Sequence, residues 1–594
     1  MASLDNVDLR LVDSVAEAVE FKRFLSGRHD SNILAIDTES SSLMCYGAGE
    51  KLRLIQIGDK HSGWVIPWEQ WGGVAVEAIR EWEGDWGLHN APHDYQWLSH
   101  HAGVELPWHR IHETMVQVAL VDPLKPKGLK PVSERIFGKA ALAGQSTLKA
   151  AMQEQGWTWA TVPLDFMPYI IYAALDPVLT SWIDDEYRPQ VMEAASQAYD
   201  LERGAQRVCT RMMQRGMLLD VPYVNAARDK LVAYSEKARE WLKSRHGITS
   251  PNSAAQLRRA FEAYGQEILF YTNAGAPQFD KRALTFYKIE GQNRDIEQVA
   301  DCVLKIRHAE KIIGSYMDNF LKFRDPDDVI HASINTLAAR TGRMSVTGPA
   351  LQTLHRNDKI VRGSYIPRPG HVFVTCDLSQ VESRLAAHFT GDKGLVDAFW
   401  AAERDGTDFF CELGESIFGE PISKKDPRRN MVKTIVYRTN YGGGDNIEEM
   451  AITAEVPVAQ MAKAKAGFDS RFPGVKAELQ HTADVAKRRN PPHLFSPYGR
   501  RFMLDRGSEY TQGFNARIQG HAAEYFKKNL LDIDAAGLGE YMVLVVHDEV
   551  IAEVPIDMAE EAKHVIETCM TDREGYKVPI TAEANILTER WAKT

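Results

Sequence analysis

The chain has 594 residues, 44% of them hydrophobic and 25% charged, the composition of an ordinary globular protein too long to fold around a single core. No apolar run is long enough to span a bilayer, residues 1–5 lack the basic and apolar stretches of a signal peptide, and the six cysteines form no Cys-x-x-Cys pair. A membrane span, secretion and a zinc site are therefore disfavoured, and a reduced cytoplasmic setting is expected. The formal net charge of −11 neither supports nor excludes nucleic acid, because phosphate binding depends on where cations cluster. Clusters stand at Lys424-Lys425, Arg428-Arg429, Lys487-Arg488-Arg489 and Arg500-Arg501, all in the second half.

In chain order, residues 32–36 and 53–57 read as strands and 74–82 as a short helix, while Pro and Gly between 122 and 131 mark a loop. From about Leu201 the pattern is helical for over a hundred residues, with Ile296, Val299, Val303 and Ile306 in helical spacing and Ile312, Ile313, Tyr316 and Phe320 extending it. A domain boundary is expected near residue 195. The chain has no internal repeat and no Gly-x-x-x-x-Gly-Lys-Ser/Thr loop, so any nucleoside triphosphate must be held in another way.

The first chemistry-bearing segment, Asp37-Thr38-Glu39, follows the apolar run ending at Ile36; carboxylates at i and i+2 of an extended segment face one side and can share an ion. Asn90-Ala91-Pro92-His93-Asp94 comes next, and then Tyr172 and Asp176, four apart and so on one helix face. Alone, each is commoner as a cap or turn than as a catalytic group. In the second half, residues 371–376 read as a strand delivering Asp377, and the apolar runs 541–545 and 551–554 flank Val546-His547-Asp548-Glu549-Val550. Consecutive carboxylates between buried strands make a poor core but a good platform for hard cations such as Mg²⁺, which bind oxygen ligands together with substrate phosphates. Arg429, Lys433, Tyr437 and Tyr441 recur every four residues as a stripe on one helix face, cationic at one end for a triphosphate and aromatic at the other for a base.

Two resemblances join these pieces. Asp37, Glu39, Asp94, Tyr172 and Asp176, in order and spacing, resemble the motifs of the 3′–5′ proofreading exonucleases of the DEDDy group, which have a ribonuclease H-like fold. The resemblance implies that the four carboxylates hold two metal ions and that Tyr172 orients the attacking water. His93 stands where that group usually has Phe, and Pro177 threatens the helix carrying Tyr172 and Asp176. From about residue 200 onward the chain resembles family A DNA polymerases through Asp377-Leu378-Ser379-Gln380-Val381-Glu382, the segment from Arg429 to Gly442, and His547-Asp548-Glu549. Supporting matches are Thr341-Gly342-Arg343, Asn515 with Gln519, and the helix around Arg307.

The polymerase resemblance implies that Asp377 and Asp548 hold two Mg²⁺ ions between the primer 3′-hydroxyl and the incoming triphosphate, with Glu549 an outer helper. It places Arg429, Lys433, Tyr437, Tyr441, Gln380, Glu382 and His547 at the nucleotide, and Arg343, Asn515, Gln519 and Arg307 at DNA. Glu382 is the expected gate against a ribose 2′-hydroxyl, and the Tyr437 form is associated with tolerance of dideoxynucleotides. Phe410 stands where the family usually offers His to the triphosphate, so Lys424 or Arg428 must compensate or affinity falls.

The expected architecture is multidomain α/β and α+β: a ribonuclease H-like exonuclease at 1–195, a thumb with connecting helices at 196–330, palm at 331–405 and 506–594, and fingers at 406–505. Two Mg²⁺ are expected at each site, with Mn²⁺ able to substitute. The expected partners are primer–template DNA, dNTPs and replisome proteins such as a helicase and a single-strand-binding protein, around a monomeric enzyme. The exonuclease signature begins near residue 32, which leaves no room for a 5′ nuclease ahead of it, and the helical region lacks a thioredoxin-recruiting insertion; both suggest a phage replicative enzyme. A 3′–5′ exonuclease with a degenerate polymerase part is the alternative, and a non-enzymatic nucleic-acid scaffold a third reading, disfavoured because a scaffold needs no such carboxylates.

Overall fold

The computed structural model describes residues 6–27, 33–354, 358–442 and 446–592. Asn32, read as the first residue of a strand, lies outside the described residues, as do residues 1–5. The N-terminal unit is built on six strands: β1 (Asp8–Leu11), β2 (Ile33–Ser40), β3 (Leu52–Gly58), β4 (Ser62–Pro67), β5 (Asp85–Leu88) and β6 (Ile111–Glu113). Their order is β1-β4-β3-β2-β5-β6. The chain zigzags through β2, β3 and β4 antiparallel, while β1, β5 and β6 join in parallel. The middle strands β3 and β4 are buried on both faces and mostly apolar, with Phe21, Trp64 and Trp86 fully inside.

Among the helices of this unit, α1 (Ala91–Trp97), α2 (Leu129–Phe137) and α3 (Met167–Arg215) carry the side chains that meet beside β2. The helix α2 corrects the loop expected over 122–131. The turns end at Gly128, and Pro131 is accommodated in the first helical turn, where its missing N–H costs nothing. Pro177 does not break α3; the backbone departs from helical values only at Ala195 (φ −157°, ψ 37°). Close approach makes this docking possible: a Cβ on Gly63 would fall 1.8 Å from the Ala174 carbonyl oxygen, and one on Gly58 would fall 3.2 Å from Pro177 Cγ.

Helices then follow one another to Phe323, and Ile296, Val299, Val303 and Ile306 bury one face of Arg294–Ile312 against Leu257, Phe261 and Tyr287. The second sheet consists of β7 (His371–Leu378), β8 (Met542–Val546), β9 (Glu549–Pro555) and β10 (Ala582–Leu587), all antiparallel in the order β8-β9-β7-β10. It shares one core with α4 (Val381–Thr390), α5 (Pro427–Asn440) and α6 (Glu509–Ile533). Among the described residues no helix is long and apolar enough to cross a membrane.

Candidate active sites

The first site lies where β2, α1, α2 and α3 meet. Asp37 and Glu39 leave β2 on one side, and one carboxylate oxygen from each lies within 4.8 Å of an Asp176 oxygen and of the other. Between them Thr38 faces the other way and fixes Asp94, donating its N–H (3.0 Å) and its hydroxyl (2.7 Å) to Oδ1. Burial, reinforced by the neighbouring carboxylates, holds Asp37 well above the usual range. It pushes Glu39 up to about 8, with Asp176 adding to the effect, and Asp94 up to about 7 against the Thr38 bonds. Asp176 is raised by burial and pulled back by Lys130. Carboxyl groups that resist ionising side by side form a donor set that a divalent cation stabilises. The Tyr172 hydroxyl is also raised, by burial first and then by Asp176.

Lys130 is the residue that sequence reasoning missed. It sits in the first turn of α2. Its ammonium pairs with Asp176, donates to the Tyr172 carbonyl at 3.3 Å and stands 4.1 Å from the centre of the Tyr172 ring. His93, the departure from Phe, is mostly enclosed, and burial lowers its pKa. Its ring faces Trp97 at 6.4 Å.

The second site lies at the end of the second sheet. Asp377 is the penultimate residue of β7 and pairs in register with Glu549. His547 and Asp548 form the two-residue turn between β8 and β9, with His547 in the left-handed region at φ 56°. The Leu378 N–H donates to the Asp548 carbonyl at 3.2 Å, which brings Asp377 and Asp548 to neighbouring strand ends. Asp548 is raised by burial and drawn down by Arg343, 4.0 Å away. Glu549 belongs to β9 and turns away from the cleft into a buried ion pair with Arg362 at 2.8 Å, whose guanidinium lies 4.3 Å over Trp591.

Around these carboxylates, Arg343 pairs with one oxygen of Glu382, and the other accepts the Tyr441 hydroxyl at 2.6 Å. Gln380 caps α4 in a left-handed conformation (φ 54°), and Gln352 meets His547 at 3.3 Å. Along α5, Lys433 lies 5.9 Å from the Tyr437 ring, which stacks at 6.4 Å on Tyr441 and meets Phe410 at 6.0 Å. Arg429 is engaged in a two-pronged pair with Asp408, both bonds 2.8 Å, above the Phe410 ring. Asn515 and Gln519 share one face of α6. Arg307, expected at DNA, makes its contacts here within the protein. Its guanidinium bonds Asn252 Oδ1 (3.0 Å) and the Pro251 carbonyl (2.8 Å), as well as the Phe279 carbonyl, clasping its own helical unit.

Residues 223–593 match the family model for DNA polymerase family A. The chain belongs to DNA polymerase family A. Residues 12–191 match the 3′–5′ exonuclease family model, so this family A enzyme is a DNA-directed DNA polymerase carrying a 3′–5′ exonuclease. The DNA polymerase of Mycobacterium phage D29 is 29% identical over 96% of this chain and 95% of the relative. That of Mycobacterium phage L5 is 28% identical over 96% and 94%. Among solved structures, the POL domain of Pol1 from M. smegmatis, in complex with DNA primer-template and dNTP, superimposes with a TM-score of 0.79 at 20% identity, covering 98% of this chain and 99% of that one. The fold is thus a ribonuclease H-like exonuclease domain followed by a right-hand polymerase. Enzymes of both families use divalent metals, and the Asp37, Glu39 and Asp176 oxygens form an acidic cluster suited to one.

Proposed function

We propose that the enzyme replicates phage DNA in the host cytoplasm as a monomer, extending a primer at Asp377 and Asp548 and proofreading it at Asp37, Glu39, Asp94 and Asp176. The observation that carries this reading is the pairing of two strand ends that brings Asp377 and Asp548 together, with Lys433 and Tyr437 on the helix α5 and Tyr441 at its C-cap. Two Mg²⁺ at each site, with Mn²⁺ as substitute, would supply charge neutralisation and an activated oxygen nucleophile. In synthesis the primer 3′-oxygen bonds to the α-phosphorus of a dNTP, pyrophosphate leaves and the hydroxyl proton passes to solvent. In proofreading the oxygen of water bonds to the terminal phosphorus, and the 3′-oxygen of the shortened strand leaves with a proton.

Within this reading Lys433 and Arg429 bind the triphosphate, and Tyr437 and Tyr441 stack at the base. Gln380 and His547 border the nucleotide, Glu382 screens the sugar, and Arg343, Asn515 and Gln519 follow primer–template DNA. The parts fall at 1–195 (exonuclease), 196–330 (thumb), 331–405 and 506–594 (palm) and 406–505 (fingers), and a helicase and a single-strand-binding protein are its replisome partners. Primer extension with Mg²⁺ and dNTPs tests it. Asp548→Ala abolishes extension and leaves single-strand shortening intact, while Asp37→Ala does the reverse and raises the error rate. Each lost site amounts to several kcal/mol of charge stabilisation, roughly 10³-fold or more in rate. Loss of both activities in either variant overturns the division into separate sites.

A further inference from the structure

A lysine on a helix surface normally keeps its ammonium in water, yet the Lys130 side chain is only 11% exposed and aims into the exonuclease site. Three contacts hold it: the Asp176 carboxylate, the Tyr172 carbonyl oxygen and the face of the Tyr172 ring. The two side chains it touches lie four residues apart on the helix α3. One is a proposed cation ligand and the other the proposed orienter of water. Tyr172 swings about two torsions, and its remaining ring neighbour, Trp159, is tilted at 6.1 Å. A cation over the ring face and an ion pair to the next turn restrict that swing. The carrier helix is itself fixed: α2 packs on α3, and a Cβ on Gly144 would fall 2.6 Å from the Pro168 carbonyl and 3.0 Å from the Tyr172 nitrogen.

We propose that Lys130 is a positioning residue of the exonuclease, whose ammonium clamps the Asp176 carboxylate and the Tyr172 ring in register and competes with a divalent cation for Asp176. The inference rests on the assignment of the exonuclease carboxylates given above. It has two consequences of opposite sign. Replacing the charge with an apolar chain of similar length frees Asp176 and deepens the negative potential of the cluster, so a divalent cation binds more tightly. The same change releases Tyr172, so turnover slows. A lysine that merely supported the fold would weaken both together.

The test compares Lys130→Met and Lys130→Arg in the full chain. Single-strand hydrolysis gives kcat and KM, and Mn²⁺ binding is followed by the electron paramagnetic resonance signal of the free ion in a shared Asp548→Asn background. Expected for Lys130→Met is a kcat lower by about tenfold or more, the scale of a small misplacement of catalytic groups, with KM little changed and the Mn²⁺ dissociation constant severalfold lower. Lys130→Arg keeps a charge that stacks on rings and recovers part of kcat. Unchanged primer extension by the Lys130 variants that keep Asp548 reports an intact fold. Wild-type kcat in Lys130→Met overturns the proposal, and so does Mn²⁺ binding that is unchanged or weaker. Asp37→Ala serves as the control: if it digests normally, the carboxylate assignment fails, whereas an inactive Asp37→Ala beside a fully active Lys130→Met removes only the lysine's role.

Discussion

Glu382, proposed above to screen the sugar, is held still: Arg343 takes one oxygen and the Tyr441 hydroxyl the other, so neither is free to rotate toward water. Burial raises its pKa, with Arg343 opposing. Nearby, Phe410 stands where the resemblance leads one to expect a histidine, and a phenyl ring donates no hydrogen bond to phosphate. Arg428 cannot fill the gap from its present position, because its guanidinium is bonded to Asp426 (2.7 Å) and paired with Glu420. Arg429 must leave Asp408 to reach a phosphate, whereas Lys424 is exposed on the same stretch. At Tyr437, proposed above to stack at the base, the phenol hydroxyl is the group that Phe would lack. A hydrogen bond to a charged group contributes about 1.5–3 kcal/mol. Tyr437→Phe is therefore expected to lower the ratio of dideoxynucleotide to deoxynucleotide incorporation by about ten- to a hundred-fold. Paired single-turnover incorporation assays measure the ratio, and an unchanged value removes Tyr437 from terminator tolerance.

At the scale of elements, the exonuclease site depends on how closely α3 lies against the sheet. Gly63 sits on β4 where any side chain would strike the Ala174 backbone, two residues from both Tyr172 and Asp176. Gly63→Ala must push the helix outward, an overpacking cost of about 1–3 kcal/mol. Because the displaced turn carries Tyr172 and Asp176, we expect shortening of single strands to fall by about tenfold or more while primer extension stays near wild type. Equal loss of both activities would show that the strain spreads through the whole chain. Much of this arrangement is legible in residue order. Asp37-Thr38-Glu39 after an apolar run lies in the second half of β2, and Asp377 after another and His547-Asp548 between two more sit at strand ends, because period-two alternation and turn chemistry are local properties. Lys130 was not legible. Its neighbours Gly128 and Pro131 read as loop, and only the tertiary docking of α2 on α3 turns a solvated charge into a buried one.

At the scale of the whole molecule, buried charge ties the far end of α3, where the chain leaves the exonuclease, to the polymerase. Glu202, on α3 beyond the break at Ala195, pairs with Arg500 and with Lys527 of α6, and Arg500 also reaches Glu524 at 3.3 Å. Lys527 donates in addition to the Thr336 carbonyl at 2.9 Å. Beside this cluster Lys127 bonds the Leu337 carbonyl and Arg501 the Val121 carbonyl at 2.7 Å, so both faces of the junction are tied by hydrogen bonds. Two cations and two carboxylates cancel, and all four side chains are at most 7% exposed. Burial pulls the Lys527 pKa down while Glu202 pulls it up. An ion pair removed from water contributes little net stability, but breaking one leaves an uncompensated buried charge and costs about 3–5 kcal/mol. Lys527→Met should therefore lower the thermal midpoint sharply, leaving two carboxylates to share Arg500. Adding Glu202→Gln to that variant restores neutrality with the Arg500–Glu524 pair intact, so the double variant should be more stable than Lys527→Met alone. Thermal unfolding of the wild type, both single variants and the double variant completes the cycle and measures the coupling directly. A double variant less stable than Lys527→Met would mean that the contacts of Glu202, rather than charge balance, hold the junction together.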